Sequence, residues 1–418
     1  MASPPASQAS SAKQLLPALT GLRIFGALGV FLLHSLMLAD PLDPSVPMTY
    51  IGNQPLAEAV SKFVWMAGIV GVSFFFVLSG FVITWASRPG QRAGAFVRRR
   101  MVKIFPNHLV TWVLAMLLVP AAATGLFVPL VNLSLLHSYF PDPAVFISVN
   151  SPSWSLCCEM LFYVLFPSLI PLVRRIPVNR LWVAAVALIG AMVVVALVND
   201  LFVPSTPKSG LLPMAVPQQW FGYIFPVPRM FEFGLGMVLA RMVQARVWPS
   251  WLKIWHAGLF AGVGYLVTNQ VPSPFNFILP MIVPIAVLIA TTAAADLRGD
   301  RTWLRRPFMV WLGKISFGFY LCQGVVLFQG RLWLGGHRTF STPVALLLTL
   351  VLFALTCLVG WLLYACVEEP LVKRLSVSRK ERARRAEAAA AATPVELEDV
   401  PTGVAVPALS DAAAAPAA

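Results

Sequence analysis

Long apolar runs recur along this chain, and each is long enough to cross a lipid bilayer. A bilayer core about 30 Å thick needs roughly 18–25 consecutive apolar residues in a helix. Because backbone polar groups in lipid must be paired within their own segment, each run is predicted to be a helix. Ten runs qualify, at about 17–39, 64–86, 107–129, 154–172, 181–198, 219–240, 254–270, 274–294, 308–328 and 342–366.

Composition supports a membrane environment for most of the chain. Hydrophobic residues make up 58% of the sequence and charged residues only 11%, whereas soluble domains carry about 25% charged residues. Such an apolar chain is also unlike a disordered one, which needs low hydrophobicity. We therefore predict an all-α integral membrane protein, a bundle of about ten transmembrane helices with the lipid bilayer as its main partner.

The basic residues predict the orientation of this bundle. Assigning alternate loops to the two sides of the membrane places 24 of the 31 Lys and Arg residues on one side and four on the other. Cytoplasmic loops carry such an excess, and one missed span would destroy it. The distribution predicts ten helices with both termini cytoplasmic. It leaves no basic helix face of the kind that binds nucleic acid, so no nucleic-acid partner is expected.

The organisation predicted from composition has a single folded domain. Residues 1–14 are expected to be disordered, 15–375 to form the membrane domain, and 376–418 to be a basic and then Ala/Pro-rich disordered cytoplasmic tail. The apolar run after residue 16 is too long for a signal-peptide core, so we interpret it as a retained first span. The five cysteines lie in apolar stretches and are interpreted as small buried hydrophobes rather than disulfides.

Ionisable residues inside the predicted spans are the main functional candidates, because such groups are costly in a bilayer and often functional. Arg23 and His34 lie eleven residues apart, almost three helical turns, so both project from one face of the first helix. His34 is then roughly 16 Å further along the helix axis than Arg23. The plainer interpretation is an imidazole bonded to a neighbouring helix and an arginine that reaches the interface.

Glu159 and the cluster Arg98–Arg100 each allow two interpretations. Glu159 lies near the start of the fourth run, where the helix dipole favours a carboxylate. It is equally suited to orienting and charging a catalytic imidazole. The arginines precede the third run, and their spacing favours a role in topology, although guanidinium groups also clamp phosphates.

The remaining polar residues of the spans receive no catalytic role. Arg229 and Glu232 are one turn apart and are expected to satisfy each other. Lys314 is expected to reach the cytoplasmic side, and Cys158 lies in apolar surroundings that make a poor nucleophile. No metal-ligand spacing or phosphate-binding loop occurs in the sequence.

With these residues in view, the chain resembles the acyltransferase-3 family of integral membrane O-acyltransferases over about residues 15–370. The resemblance rests on the order and spacing of several stretches along the predicted spans. These are LTGLRIFGALGVFLLH (19–34), GVSFFFVLSGF (71–81), FVRRRMVKIFP (96–106), WSLCCEMLFYVLFP (154–167), LGKISFGFYL (312–321) and a closing VEEPLVKRL (367–375).

The resemblance implies transfer of an acetyl or other short acyl group from acyl-CoA to a hydroxyl of a sugar-bearing acceptor, with no bound cofactor or metal. It implies that His34 is the catalytic residue, Arg23 its partner and Glu159 a third site residue. It also implies that Arg98, Arg99 and Arg100 hold the donor. Ser73 stands where many members have an acidic residue, so that position is given no acid–base role.

The pairing of GVSFFF with WSLCCE is closer to the branch that acylates macrolides, which makes a glycan or a glycosylated natural product such as a macrolide the expected acceptor. A bacterial cytoplasmic membrane is the expected location. On this interpretation His34 is a general base or a transient acyl carrier. A transporter or flippase with a His/Arg/Glu relay, and a scaffold without chemistry, stay open as alternatives, as does the oligomeric state.

Overall fold

The computed structural model describes residues 15–39, 46–118, 125–208, 214–334, 336 and 338–375, and these ranges are helical without a named β-strand. The predicted disordered segments 1–14 and 376–418 lie outside the described residues. The helices are α1 Pro17–Ser35, α2 Gln54–Ala86, α3 Ala93–Leu118, α4 Phe127–Leu133, α5 Pro143–Phe146, α6 Trp154–Arg175, α7 Leu181–Phe202, α8 Val216–Gln219, α9 Pro226–Gln244, α10 Ile254–Thr268, α11 Leu279–Arg298, α12 Pro307–Leu321, α13 Gln323–Trp333, α14 Thr342–Leu362 and α15 Glu369–Leu375.

The all-helical membrane architecture predicted from the sequence is confirmed. Among the described residues, seven helical segments are long and apolar enough to cross a membrane, and the bent pair α12–α13 brings the number to eight. Two further predicted spans coincide with helices that do not meet these criteria. Helix α9 carries three charged residues, Arg229, Glu232 and Arg241, and α10 has only 15 residues. The count of ten and the orientation of the termini therefore stay predictions.

The third helix begins earlier than the sequence predicted. The apolar run was expected at 107–129, whereas α3 is Ala93–Leu118 and contains the whole basic motif. Arginine and lysine are good helix formers, and their long side chains reach polar surroundings from within a span. As a consequence, Arg98–Arg100 lie in the second turn of a membrane helix and not in the loop before it.

Close helix crossings at glycine hold the centre of the bundle together. A Cβ atom at Gly80 of α2 or at Gly236 of α9 would collide with a backbone carbonyl of the opposite helix. The same is true of Gly313 of α12 against the carbonyl of Thr20 in α1. Small residues at crossings allow membrane helices to pack by backbone contact. Helix α1 is thereby packed directly against α12.

The start of α1 is capped by a side chain from another helix. The first N–H groups of a helix have no partner within it, and α1 has no side-chain cap of its own. The backbone N–H groups of Ala18 and Leu19 donate to the two carboxylate oxygens of Asp296 in α11, at 3.1 Å each. Asp296 is 4% exposed, and Arg305 lies 3.6 Å from it. This cap fixes α1 against α11.

Helices α12 and α13 are bent by 62° at Cys322. A break in a helix leaves carbonyl groups unpaired, which is tolerated at membrane depth only where protein satisfies them. The carbonyl of Leu321 accepts a hydrogen bond of 3.0 Å from the amide of Asn150. The break turns the buried side chain of Gln323, the first residue of α13, toward α1.

Candidate functional site

A cavity of about 390 Å³ lies between α1, α2, α6 and α12. Arg23 from α1 and Glu159 from α6 both line it, together with Ser155 and Tyr320. Tyr320 donates to the carbonyl of Pro152 at 2.9 Å, and its hydroxyl is 2.8 Å from that of Ser155. Two of the residues predicted for the site, Arg23 and Glu159, are therefore brought together in one cavity.

Glu159 is surrounded by positive charge. Its carboxylate accepts a hydrogen bond of 2.9 Å from the hydroxyl of Tyr163 and interacts electrostatically with Lys103, Arg23 and Arg100. Glu368 also interacts with Lys103, so two carboxylates face three cations and a net positive charge remains. An anionic group of a ligand is therefore favoured in this region, where the low dielectric strengthens the attraction.

The three predicted donor-binding arginines differ in position. Arg98 is exposed, whereas Arg99 and Arg100 are partly buried. The guanidinium of Arg100 lies 5.5 Å from the ring centre of Phe96 and 5.9 Å from that of Tyr163. The Nε atom of Arg100 is buried without a hydrogen-bond partner, as is that of Arg23. Arg100 therefore belongs to the cationic group around Glu159, which also includes Lys103.

His34 lies near the end of α1 and is held by Gln323. Its Nδ1 atom is 3.0 Å from Gln323 Oε1, and its ring packs edge-on against Phe328 with 5.7 Å between ring centres. The amide nitrogen of Gln323 donates to the carbonyl of Ala27 at 3.3 Å. Because a carbonyl can only accept, this bond fixes the amide orientation and directs Oε1 toward the imidazole. Nδ1 must then carry the proton, which leaves Nε2 with a free lone pair.

His34 and the cavity are separate features of the helical bundle. Among the described residues, His34 does not line the cavity. The hydrogen-bond partner of its imidazole is Gln323, not Glu159. Tyr320 lines the cavity and precedes Gln323 by three residues across the helix break. The arrangement therefore combines a cation-rich cavity with a neutral imidazole that is poised to accept a proton.

Several residues of this arrangement were not predicted as site residues: Lys103, Tyr163, Tyr320 and Gln323. Lys103 lies within the quoted stretch FVRRRMVKIFP but was counted as a loop charge, because the helix was expected to start later. Gln323 is an isolated polar residue in the apolar run 308–328, and this isolation could have identified it as a candidate site residue. The two tyrosines gave none, since tyrosine is common in membrane helices.

Arg229, Glu232 and Cys158 behave as the sequence indicated, whereas the position of Lys314 relative to the membrane stays a prediction. Arg229 and Glu232 form a buried ion pair of 2.8 Å, so the prediction that they satisfy each other is confirmed. Arg229 also donates to the hydroxyl of Ser73 at 3.0 Å. Cys158 is fully buried, and its thiol contacts the carbonyl of Ile224 at 3.7 Å.

A second histidine, His137, lies in the segment before α6 and is enclosed by the protein. It is fully buried, with Nε2 at 3.2 Å from the hydroxyl of Ser153 and Nδ1 at 3.4 Å from the sulfur of Cys157. Both ring nitrogens therefore have polar neighbours within the protein. Burial, and to a smaller extent nearby His108, lower the pKa of His137 to about 3.

Comparisons with known proteins show which family the chain belongs to. The family described as acyltransferase domain matches residues 16–365. Acyltransferase MdmB of Streptomyces mycarofaciens is 36% identical over 378 residues, which cover 87% of this chain and 93% of the relative. Putative peptidoglycan O-acetyltransferase YrhL of Bacillus subtilis is 26% identical, with 85% of this chain matching 55% of the relative.

Nodulation protein 10 of Rhizobium leguminosarum bv. viciae is 25% identical, covering 84% of this chain and 92% of the relative. No solved structure matches the chain. The family match spans nearly all of the described helices and includes both Arg23 and His34. It favours an enzyme over the transporter and scaffold alternatives. This chain therefore belongs to the acyltransferase-3 family and is a multi-pass membrane O-acyltransferase.

Proposed function

We propose that this protein transfers an acetyl or other short acyl group from acyl-CoA to a hydroxyl of a glycan or of a glycosylated natural product such as a macrolide. His34 acts as the general base. The observation that carries the proposal is the contact of Gln323 with His34 Nδ1, because it leaves Nε2 free to take a proton. A neutral imidazole with one free nitrogen suits this role.

In the proposed reaction, His34 Nε2 accepts the proton of the acceptor hydroxyl while the hydroxyl oxygen attacks the thioester carbonyl. The tetrahedral intermediate collapses with cleavage of the carbon–sulfur bond. The leaving thiolate takes the proton back from the imidazolium, so that the products are an ester and free CoA. Gln323 keeps Nδ1 protonated throughout and stabilises the imidazolium through the same hydrogen bond.

The cationic group around Glu159 is proposed to hold the donor. Arg100, Lys103 and Arg23 attract the phosphates of acyl-CoA, and Arg98 and Arg99 extend the positive charge along α3. Glu159 positions these cations through charge and through Tyr163. It takes this role in place of the orienting one considered from the sequence, because Gln323 is the partner of the imidazole.

A transfer assay tests the proposed reaction directly. Membranes containing the protein are incubated with radiolabelled acetyl-CoA and with either a macrolide or a peptidoglycan fragment. Labelled ester is expected with wild type and is expected to be lost with His34→Ala, at unchanged protein level. Wild-type turnover in the His34→Ala protein would contradict the general-base role, and the absence of ester with both acceptor classes would contradict the acceptor assignment.

The orientation in the membrane is part of the proposal. The charge bias of the loops supports ten spans with both termini cytoplasmic, in the cytoplasmic membrane of a bacterium. Reporter fusions after Arg246 and after Lys208 should report opposite sides of the membrane. If both report the same side, the assignment of α9 as a span is wrong.

A further inference from the structure

An open cleft of about 400 Å³ lies on the surface in the loop that joins α11 to α12. Its volume falls within the range of small-molecule sites. Among the described residues, none that lines it is acidic, and none also lines the cavity that contains Glu159. The α11–α12 cleft is lined by three arginines, a threonine and a tryptophan: Arg301, Thr302, Trp303, Arg305 and Arg306.

Two arginines of this cleft have no acidic partner. Residues 296–306 contain four arginines and two aspartates. The two aspartates are taken up by the other two arginines, at 2.8 Å for Asp300 and 3.6 Å for Asp296. Arg301 and Arg306 are exposed and form no ion pair with any described residue. Two uncompensated guanidinium groups in one cleft favour an anion that accepts several hydrogen bonds, such as a phosphate.

Exposed aromatic side chains lie beside these charges. Trp303 is 53% exposed, and Phe308, two residues beyond Arg306, is 65% exposed. Phe25 of α1 is also exposed and packs edge-on against Trp303, with 5.7 Å between ring centres. Tryptophan is enriched at membrane–water interfaces. Because the loop joins two segments that are apolar enough to cross a membrane, the cleft is expected at the level of the phospholipid headgroups.

The inner side of the cleft is in direct contact with α1. The carbonyl of Leu304 lies where a Cβ atom of Gly21 would be, and Leu304 is buried. Arg305 lies beside Asp296, whose carboxylate caps α1. A ligand that holds the short turn Trp303–Arg305 in place would therefore also support the start of α1.

We propose that the α11–α12 cleft binds the headgroup of an anionic phospholipid such as phosphatidylglycerol. Arg301 and Arg306 hold its phosphate, and its acyl chains lie along the exposed aromatic residues. A soluble phosphate would use only the charges, whereas a phospholipid uses the charges and the apolar surface together. Basic pockets at the ends of membrane helices bind lipid headgroups in this way. The inference does not depend on the proposed acyl transfer.

Native mass spectrometry of the purified protein in a neutral detergent tests the binding. The protein is titrated with phosphatidylglycerol or phosphatidylcholine, and the lipid molecules retained per chain are counted. Wild type is expected to bind phosphatidylglycerol at least tenfold more tightly than phosphatidylcholine. Arg301→Gln/Arg306→Gln should reduce this preference about tenfold or more. Arg175→Gln/Arg180→Gln, which removes two exposed arginines between α6 and α7, should leave it unchanged.

Arginine labelling locates the lipid on the unaltered chain. Phenylglyoxal modifies exposed arginines, and peptide mapping gives the extent of modification at each one. Nanodiscs that contain phosphatidylglycerol should lower the modification of Arg301 and Arg306 at least threefold relative to nanodiscs of phosphatidylcholine alone. Modification of Arg175 and Arg180 should be the same in both. Neither CoA nor inorganic phosphate, added to phosphatidylcholine nanodiscs, should reproduce the protection.

Four results would overturn the assignment. Equal retention of the two lipids by wild type would show that the headgroup is not recognised. An equal loss of preference in both double variants, or equal protection of all four arginines, would show that the lipid responds to surface charge in general. Protection by CoA or inorganic phosphate equal to that by phosphatidylglycerol would assign the cleft to a soluble phosphate.

Discussion

His34 and His137 are both held by polar neighbours within the helical bundle, but their surroundings differ. His137 is fully buried, and each of its ring nitrogens has a polar neighbour, Cys157 or Ser153. His34 is partly exposed and is held through Nδ1 alone, by Gln323. A structural imidazole is satisfied on both sides, whereas a base for an incoming ligand must keep one nitrogen free. The comparison favours the proposed chemistry at His34 and a structural role for His137.

The largest expected effect comes from replacing each of the two histidines by alanine in turn. His34→Ala should lower turnover by roughly 10²–10⁴-fold, the usual contribution of a general base, with melting temperature nearly unchanged. His137→Ala should lower the melting temperature while folded protein keeps its turnover. Both are measured on purified protein by the transfer assay and a thermal unfolding curve. The comparison fails if His137→Ala alone abolishes turnover in folded protein.

A second prediction separates donor binding from the chemistry of His34. Arg100→Gln removes a partly buried cation near Glu159 and should raise the KM for acyl-CoA by about tenfold or more, since a hydrogen bond to a charged group contributes about 1.5–3 kcal/mol. Turnover at saturating donor should change little. Arg92→Gln, at an exposed position just before α3, is the matched control. Equal effects of both variants on protein orientation, without any change in KM, would favour the topology interpretation of the basic motif.

A third prediction concerns the positioning of His34. Gln323→Leu removes the acceptor for Nδ1–H and should lower kcat/KM by about tenfold, the equivalent of one hydrogen bond of about 1.4 kcal/mol. Gln323→Glu places a carboxylate beside the ring, favours the imidazolium and should move the acid limb of the pH–rate profile to higher pH. A purely structural role would leave the position of that limb unchanged in both variants.

The smallest expected effect is a pH dependence of stability that comes from His137. Its pKa is about 3 in the folded protein, against 6.5 ordinarily, so the unfolded chain binds a proton more readily. This contribution is complete above pH 6.5 and is lost as the pH falls toward 3, by roughly 1.4 kcal/mol at pH 5.5. His137→Gln should flatten melting temperature against pH between 5.5 and 7.5. A slope equal to that of wild type would show that other groups dominate.

Much of the fold could be predicted from the sequence, because backbone polar groups in lipid must be paired within their own segment. Apolar length and loop charge predicted the helices, and the pairing of Arg229 with Glu232 followed from helical spacing. The start of α3 did not, because hydropathy stops at a charged residue while a helix continues through arginine. For the same reason Lys103 was assigned to a loop.

The candidate site was predicted only along single helices. Arg23, His34 and Glu159 were found because ionisable groups stand out in apolar runs. The contact between His34 and Gln323 joins residues 289 positions apart and depends on the break at Cys322, which no local pattern indicates. Cavities and buried atoms without a partner, such as Arg100 Nε, arise from packing, and composition carries no information about them.

The cap by Asp296 and the crossing at Gly313 hold the first turn of α1. Gln323 holds its middle at the carbonyl of Ala27 and its end at His34. Arg23 and His34 are therefore held at fixed positions on one helix, roughly 16 Å apart along its axis. An acyl-CoA whose phosphates bind near Arg23 places its thioester at His34 only if the arm between them is long enough. The site therefore selects its donor by the length of this arm. A thioester with a shorter arm should either bind through its phosphates near Arg23 or react at His34, but not both at once.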